Sequence, residues 1–316
     1  MDMDVRVNRE SVTLVIPVCN GERYLIPLLE SVRVQSFRDW RCICVDDGST
    51  DGSRAILERF AAEDGRFQVV VQRNAGCGAA RNTAIALAKS PYIMFADQDD
   101  ILHPRSFECA LSLIGRTDAD AVCFESAPFT ESFEPSAVPA ELADIPIVER
   151  RFPPSDQFVK GGAGCSIFVW RHVFRRETIA DVPFPPLSGG EDEVWMIELG
   201  WRNVRIVDAP VVLYGNRHHA GSGSRGLSRR YIDNVFRSYV EIRERGVRYG
   251  INSALVRRFL SRLAFWFVIS AYYHGLRSGF YATKLFLRGR YRALVLASLA
   301  IGLVKVCNAF VGTIRG

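Results

Sequence analysis

Tyr92-Ile93-Met94-Phe95-Ala96-Asp97-Gln98-Asp99-Asp100 is the stretch on which the reading of this chain turns. Its first five residues are apolar, short in run and preceded by Ser90-Pro91, which reads as a buried strand. Three carboxylates then crowd the carboxyl end of that strand. Like charges so placed repel one another, and a divalent cation holding a phosphate is a natural partner for them. Open α/β sheets bind ligands in this location, outside the carboxyl ends of their strands. The competing reading is an acidic turn that caps a helix starting near Pro104.

Outward from this stretch, strands and helices alternate. Val12-Thr13-Leu14-Val15-Ile16 reads as a strand ended by Pro17. A helix follows from about Glu22, with Leu25, Leu28, Leu29 and Val32 on one face. Arg41 to Val45 is a second strand, ending in Asp46-Asp47-Gly48-Ser49, and Asp51 or Ser49 can cap the next helix. Phe67 to Val71 is a third strand and Gly76 to Lys89 a third helix. This order predicts a mostly parallel, Rossmann-like sheet flanked by helices. Beyond a helix at Pro104 to Ile114 and a strand at Ala121 to Glu125 the pattern loosens. Residues 126–160 hold six prolines and read as a long, mobile or ligand-shaping loop. Ile167 to Trp170 reads as a strand, Glu191 to Gly200 as a helix and Val211 to Tyr214 as a short strand. From Leu227 onward everything reads as helix.

The 316 residues suffice for one large α/β domain, 1–226, and an appendage, 227–316. Eight cysteines show no paired or zinc-ligand spacing, and the charged N-terminus lacks an apolar core. Both point to a reducing, cytoplasmic setting without disulfides. The net charge of +5 is unevenly spread: Arg225 to Gly316 carries 17 Lys/Arg against 3 Asp/Glu, so the rest of the chain is net acidic. The tail mixes apolar, aromatic stretches with Arg and Lys. Its apolar runs, such as Leu263 to Ala271 and the twelve residues Ala293 to Val304, fall short of the roughly 20 that span a bilayer. Helices lying on an anionic membrane surface fit this pattern. A helical subdomain packed on the first domain and a homo-oligomer interface are the other readings. Nucleic acid is not an expected partner, because the aromatics sit inside apolar runs.

Four segments together resemble the family 2 glycosyltransferases with the GT-A fold: Val15 to Glu22, Val45 to Asp51, Gly76 to Asn82 with Ala80-Arg81-Asn82, and Tyr92 to Asp100. The resemblance covers roughly residues 11–220. It implies an inverting, metal-dependent enzyme that moves a hexose or N-acetylhexosamine from a nucleotide sugar. The donor is expected to be a UDP-sugar, and the acceptor a glycan or a lipid-linked sugar of a cell-surface polysaccharide. It places Pro17, Val18 and Glu22 in the nucleotide pocket, Asp46 on the base and Asp47 on a ribose hydroxyl. Arg81 would pair with the diphosphate as a fork donor. Asp97 and Asp99 would hold Mn²⁺ or Mg²⁺, with Gln98 between them in the donor site. An Asp in a Glu-Asp pair deprotonates the acceptor in this family, which points to Asp192 beside Glu191. The alternative is a set of acids favoured by a helix dipole. Glu193 adds a third carboxylate at the same place. Arg217-His218-His219 resembles a basic loop that closes over the diphosphate; either histidine could complete the metal shell, with His218 preferred. A nucleotidyltransferase, or a non-catalytic sugar-nucleotide-binding scaffold at the membrane, are the rival functions. The first would want a Gly-rich basic loop after the first strand, which Cys19-Asn20-Gly21-Glu22 is not.

Overall fold

The computed structural model describes residues 11–151, 168–187, 189–219, 237–238, 241–242 and 244–250. The chain divides into two compact units, Met1–Gly223 and Ser224–Gly316. The first opens as β1 (Val12–Val18), α1 (Glu22–Arg33), β2 (Trp40–Asp46), α2 (Ser53–Glu63), β3 (Phe67–Val71), α3 (Cys77–Leu87) and β4 (Tyr92–Phe95). It continues as β5 (Ile101–Leu102), α4 (Ser106–Gly115), β6 (Ala121–Phe129), β7 (Val148–Arg151), β8 (His172–Arg175), α5 (Arg176–Ile179), α6 (Glu191–Trp201) and β9 (Arg205–Arg217). In the second unit, residues 237–238, 241–242 and 244–248 are helical. Most of the tail, with the membrane and oligomer readings placed on it, lies outside the described residues. No helix among the described residues is long and apolar enough to cross a membrane.

The strands join in the order β3-β2-β1-β4-β8-β6-β9-β5, with β7 also pairing β9. β1 is buried throughout because both sheet faces are covered. Leu14, Ile16 and Val18 pack with α1, α2 and α4 on one side, while Val15 packs with α3 and α6 on the other. Parallel pairing brings Val18 opposite Asp46, and Val15 opposite Phe95. The loops after β1, β2 and β4 therefore open on one edge, which gathers Pro17, Asp46, Asp47 and Asp97.

The first half follows the expected alternation. The second half departs from it in three places. The sheet is mixed there: β4 pairs β8 and β6 pairs β8 antiparallel, and β6 pairs β9 parallel. The strand expected at Ile167 to Trp170 lies later. Val169–Arg171 is a 3₁₀ turn, and the strand is His172–Arg175, whose first three side chains are buried. The short strand expected at Val211 to Tyr214 is the middle of a 13-residue strand. Pro210 lies inside it, where the β6 register jumps from Phe124↔Ala209 to Glu125↔Val212, and this bulge absorbs the missing N–H.

The loop expected over 126–160 is tied down as far as residue 151. Arg116 donates to the Leu142 and Ile145 carbonyls at 2.7 and 3.0 Å, and Arg105 to that of Pro139 at 2.9 Å. Arg217 donates to the Thr130 carbonyl at 3.2 Å. Ile145 reaches the core, and β7 pairs with β9. Residues 152–160 lie outside the described residues.

Candidate active site

Arg81 is the centre of the site. Its guanidinium is 2% exposed and meets three carboxylates. Nη2 donates to Asp97 at 2.9 Å, and Nη1 donates to Glu191 at 3.2 Å and to Asp192. Its Nε–H has no protein partner among the described residues. Sequence folds this contact from both sides. On α3, Gly78 lets the helix approach closely: a Cβ there would stand 3.1 Å from Phe184 Cβ and from the Pro185 carbonyl. Asn82 then clamps the Phe184 backbone, accepting its N–H at 2.8 Å and donating to its carbonyl at 3.0 Å. Phe184 stacks on Trp195 of α6 at 4.4 Å, and Phe95 of β4 meets both edge-on. The first turn of α6 is thereby aimed at Arg81. Glu193 is not among the partners of Arg81, which narrows three acids to two. Within the chain, the partners of Arg81, expected to pair with the diphosphate, are carboxylates.

Asp192 keeps 21% of its side chain exposed, against 10% for Glu191, so Asp192 is the more reachable. Burial pushes the Asp192 carboxyl up to about 7, with Glu191 and Asp97 adding to the rise against the pull of Arg81 and of a Val169 backbone N–H. Asp97 is raised too, first by burial and then by the charge of Asp99.

At the other side of Asp97 the carboxylates diverge in role. Asp100 is buried at 1% exposure and accepts hydrogen bonds from Tyr214 Oη and the Arg217 N–H, both at 2.7 Å. Burial, then Asp97 and Asp99, push it up to about 8. Tyr214 Oη in turn accepts the Asp97 N–H at 3.0 Å. Asp99 faces the opening, with Oδ2 2.8 Å from His219 Nε2. His218 is exposed and sits against the Asn216 side chain at 3.1 Å. Of the two histidines, His219 and not His218 lies beside Asp99. At and just past the end of β9, Arg217 is buried, His218 exposed and His219 partly buried. His219 also lies on Tyr24, ring centroids 4.6 Å apart. Tyr24 and Tyr214 are residues here that motif reading missed, and of the two histidines it preferred His218.

The other residues expected in the donor site also make contacts within the chain. Gln98 pairs with the Cys19 backbone, accepting its N–H at 2.8 Å and donating to its carbonyl at 3.1 Å. Gly21 leaves room for it, since a Cβ would stand 2.5 Å from Gln98 Oε1. Glu22 accepts the Gly52 N–H at 2.8 Å, while Asp51 accepts the Glu22 N–H at 3.1 Å. Each acid meets the other loop's helix start, where free N–H groups and the dipole favour it. Arg217 donates through Nε to the Asp99 carbonyl at 2.8 Å. Asp47 accepts the Ala75 and Gly76 N–H groups, both at 2.8 Å, and Gln72 Nε2. Asp46 Oδ1 accepts the Ser49 N–H at 2.9 Å, and the Val18 carbonyl accepts the Asp47 N–H at 2.7 Å. Pro17 is buried at the same strand end.

For a divalent cation, the donor set is a pair rather than a cage. Among the described residues no cluster of three ligating side chains is assembled. Asp99 and His219 are each about one-fifth exposed and can turn outward, and the second Asp97 oxygen is free of Arg81. Oxygen and imidazole donors of this kind fit a cation that draws its remaining ligands from a diphosphate.

Comparison with known proteins bears on the chain as a whole. Residues 13–181 match the family described as Glycosyl transferase family 2. A putative glycosyltransferase, EpsH, of Bacillus subtilis is 30% identical over 244 residues, covering 74% of this chain and 67% of EpsH. Among solved structures, S. aureus TarS 1-349 in complex with UDP-GlcNAc superposes with a TM-score of 0.62 at 20% identity, over 92% of this chain and 79% of that 1-349 fragment. A mannosyltransferase of Pyrobaculum calidifontis in complex with GDP-Man and Mn²⁺ gives 0.54 at 17% identity, over 92% and 86%. With the GT-A-like architecture shared across these neighbours and the family match spanning more than half of its residues, the chain belongs to glycosyltransferase family 2 and is a glycosyltransferase.

Proposed function

We propose that this enzyme transfers a sugar with inversion from a UDP-sugar to a glycan or lipid-linked acceptor. The observation that carries the reading is the Arg81 junction, where the acids of β4 and of α6 meet on one buried cation. It sets a base beside the place where a diphosphate would leave. Asp192 takes the proton from the acceptor hydroxyl as that oxygen attacks the anomeric carbon. Its carboxyl, lifted to about 7 by burial, is basic enough to do so near neutral pH and still ionised in good part. Arg81 holds the base oriented and offsets the charge of Asp97, while Glu191 shares Arg81 with the base. The nucleoside lies along the carboxyl ends of β1 and β2, beside Pro17, Val18 and Asp46. A divalent cation, Mn²⁺ or Mg²⁺, held by Asp99 and His219 with Asp97 alongside, would stabilise charge on the departing diphosphate. Support comes from the neighbours: TarS is described with UDP-GlcNAc, and the mannosyltransferase with GDP-Man and Mn²⁺. The basic tail supports a peripheral position on an anionic, cytoplasmic membrane face.

The test is thermal stability of the full chain with UDP-, GDP-, CDP- and dTDP-sugars, each with Mn²⁺ and with chelator. A ligand that binds the native state raises the melting temperature. A Mn²⁺-dependent rise with one UDP-sugar is the expected result. No response to any sugar nucleotide, in folded and lipid-supplemented protein, would favour a scaffold role instead.

A further inference from the structure

The turn that carries Asp97, Gln98, Asp99 and Asp100 runs from β4 into β5 and is held from two sides. On the β1 side, Gln98 pairs with the Cys19 backbone. On the β9 side, Arg217 Nε donates to the Asp99 carbonyl at 2.8 Å, and Tyr214 ties the two ends of the turn together. The Tyr214 hydroxyl accepts the Asp97 N–H at 3.0 Å and donates to Asp100 Oδ2 at 2.7 Å. Asp100 returns the contact to β9, since its Oδ1 accepts the Arg217 N–H at 2.7 Å. The tyrosine itself has little freedom. Its residue is fully buried, its ring lies on that of Trp170 with centroids 4.7 Å apart, and its backbone stands opposite Leu102 of β5.

A core position uses the ring of a tyrosine but not its hydroxyl, which is costly to bury unless it is bonded. Here the bonds of that hydroxyl go to the first and last residues of a single turn. They reach the Asp97 backbone and the Asp100 carboxyl, and so leave the Asp97 and Asp99 carboxylates to Arg81, to His219 and to the opening. We propose that Tyr214 is a positioning residue for the cation of the donor site: its hydroxyl fixes the turn from which Asp97 and Asp99 present their oxygens. This deepens the function proposed above and rests on it. A phenylalanine at this position fills the same space, but it removes the acceptor of the Asp97 N–H and the shorter donor to Asp100 Oδ2. The turn then settles on other partners, and the two carboxylates lose their preset separation. Groups that orient metal ligands from behind set metal affinity by about 10–100-fold.

The test is calorimetric titration of UDP with Mn²⁺ into the full chain, wild type against Tyr214→Phe, with circular dichroism to establish that each is folded. Tyr214→Phe should bind UDP with Mn²⁺ about tenfold more weakly. Uridine has no phosphate to share with a cation, and saturation-transfer NMR should find it bound alike by both proteins. Asp100→Asn keeps the size of the side chain but turns an N–H donor towards either Tyr214 or Arg217, so it should weaken UDP binding to a similar degree. The double variant should be no weaker than the weaker single one, because both changes break the same relay. The proposal is overturned if Tyr214→Phe binds UDP with Mn²⁺ as the wild type does, if uridine binding falls with it, or if the two effects multiply. A wild type whose UDP binding ignores Mn²⁺ removes the donor-site reading and this proposal together. A Mn²⁺-dependent wild type with an unshifted Tyr214→Phe removes the proposal alone.

Discussion

The two halves of the catalytic unit are stitched by opposite chemistry. From β1 to β4, side-chain acceptors take backbone N–H groups: Ser49 takes that of Asn20, Ser53 that of Gly21, Asn20 that of Thr50, Asp47 those of Ala75 and Gly76. From α4 to β9, guanidinium donors take backbone carbonyls. Arg116 reaches Leu142 and Ile145, Arg171 reaches Phe124, Arg175 reaches Ala119, and Arg217 reaches Asp99 and Thr130. The difference follows from topology. Loops that lead from parallel strands into helices present free N–H groups, which short acids and hydroxyls cap. Irregular loops beside an antiparallel sheet present carbonyls, which long, branched donors can gather from a distance. Arg81 stands where the two regimes meet, a guanidinium from the first half whose partners are carboxylates from both.

That contrast can be broken most forcefully at the junction. Arg81→Met leaves three carboxylates without their cation in a buried place and should lower the unfolding free energy by about 3–5 kcal/mol, read by urea denaturation. A loss under 1 kcal/mol would mean that the halves do not depend on this cluster, a threshold at the scale of an exposed pair.

The base comes next. Asp192→Asn should cut sugar transfer into host lipid or polysaccharide by about 10²–10⁴-fold. In the wild type the transfer rate should rise with pH and level off above about 7, because the base works only when deprotonated. Retention of transfer by Asp192→Asn, or a rate that falls across that range, would move the base elsewhere.

Smaller effects sharpen the comparison within each half. Arg116→Ala strips two carbonyls of a charged donor and should cost about 1–3 kcal/mol, with new proteolytic nicking between Glu141 and Ile147. Gly21→Ala should cost about 1 kcal/mol, since only the flexible end of Gln98 must move, and should loosen the loop after β1 rather than the fold.

The same contrast explains what the amino-acid sequence disclosed. In the first half, the residues that stitch the loops sit within or beside the motifs that mark them, so Asp46-Asp47-Gly48-Ser49 and Asp97 to Asp100 placed the sheet edge and its acids correctly. The pairing of α6 with the Asp97 region was legible as a second acidic group, though not that Arg81 would join them across 110 residues. The second half hid its order. Arg116 and the carbonyls it holds are 26 and 29 residues apart, and no local pattern links an arginine to a distant carbonyl. Pro210 concealed a long strand because its bulge depends on β6. Glu22, Gln98 and Arg217 were assigned to a ligand by resemblance, whereas their partners in the fold are backbone groups that sequence does not display.

The division of labour between Asp99 and Asp192 is the central claim, and calorimetric titration of UDP with and without Mn²⁺ tests it most directly. The account predicts Mn²⁺-dependent binding to the wild type and to Asp192→Asn alike, and its loss in Asp99→Asn. UDP binding that ignores Mn²⁺, or that Asp192→Asn abolishes as completely as Asp99→Asn, would contradict it.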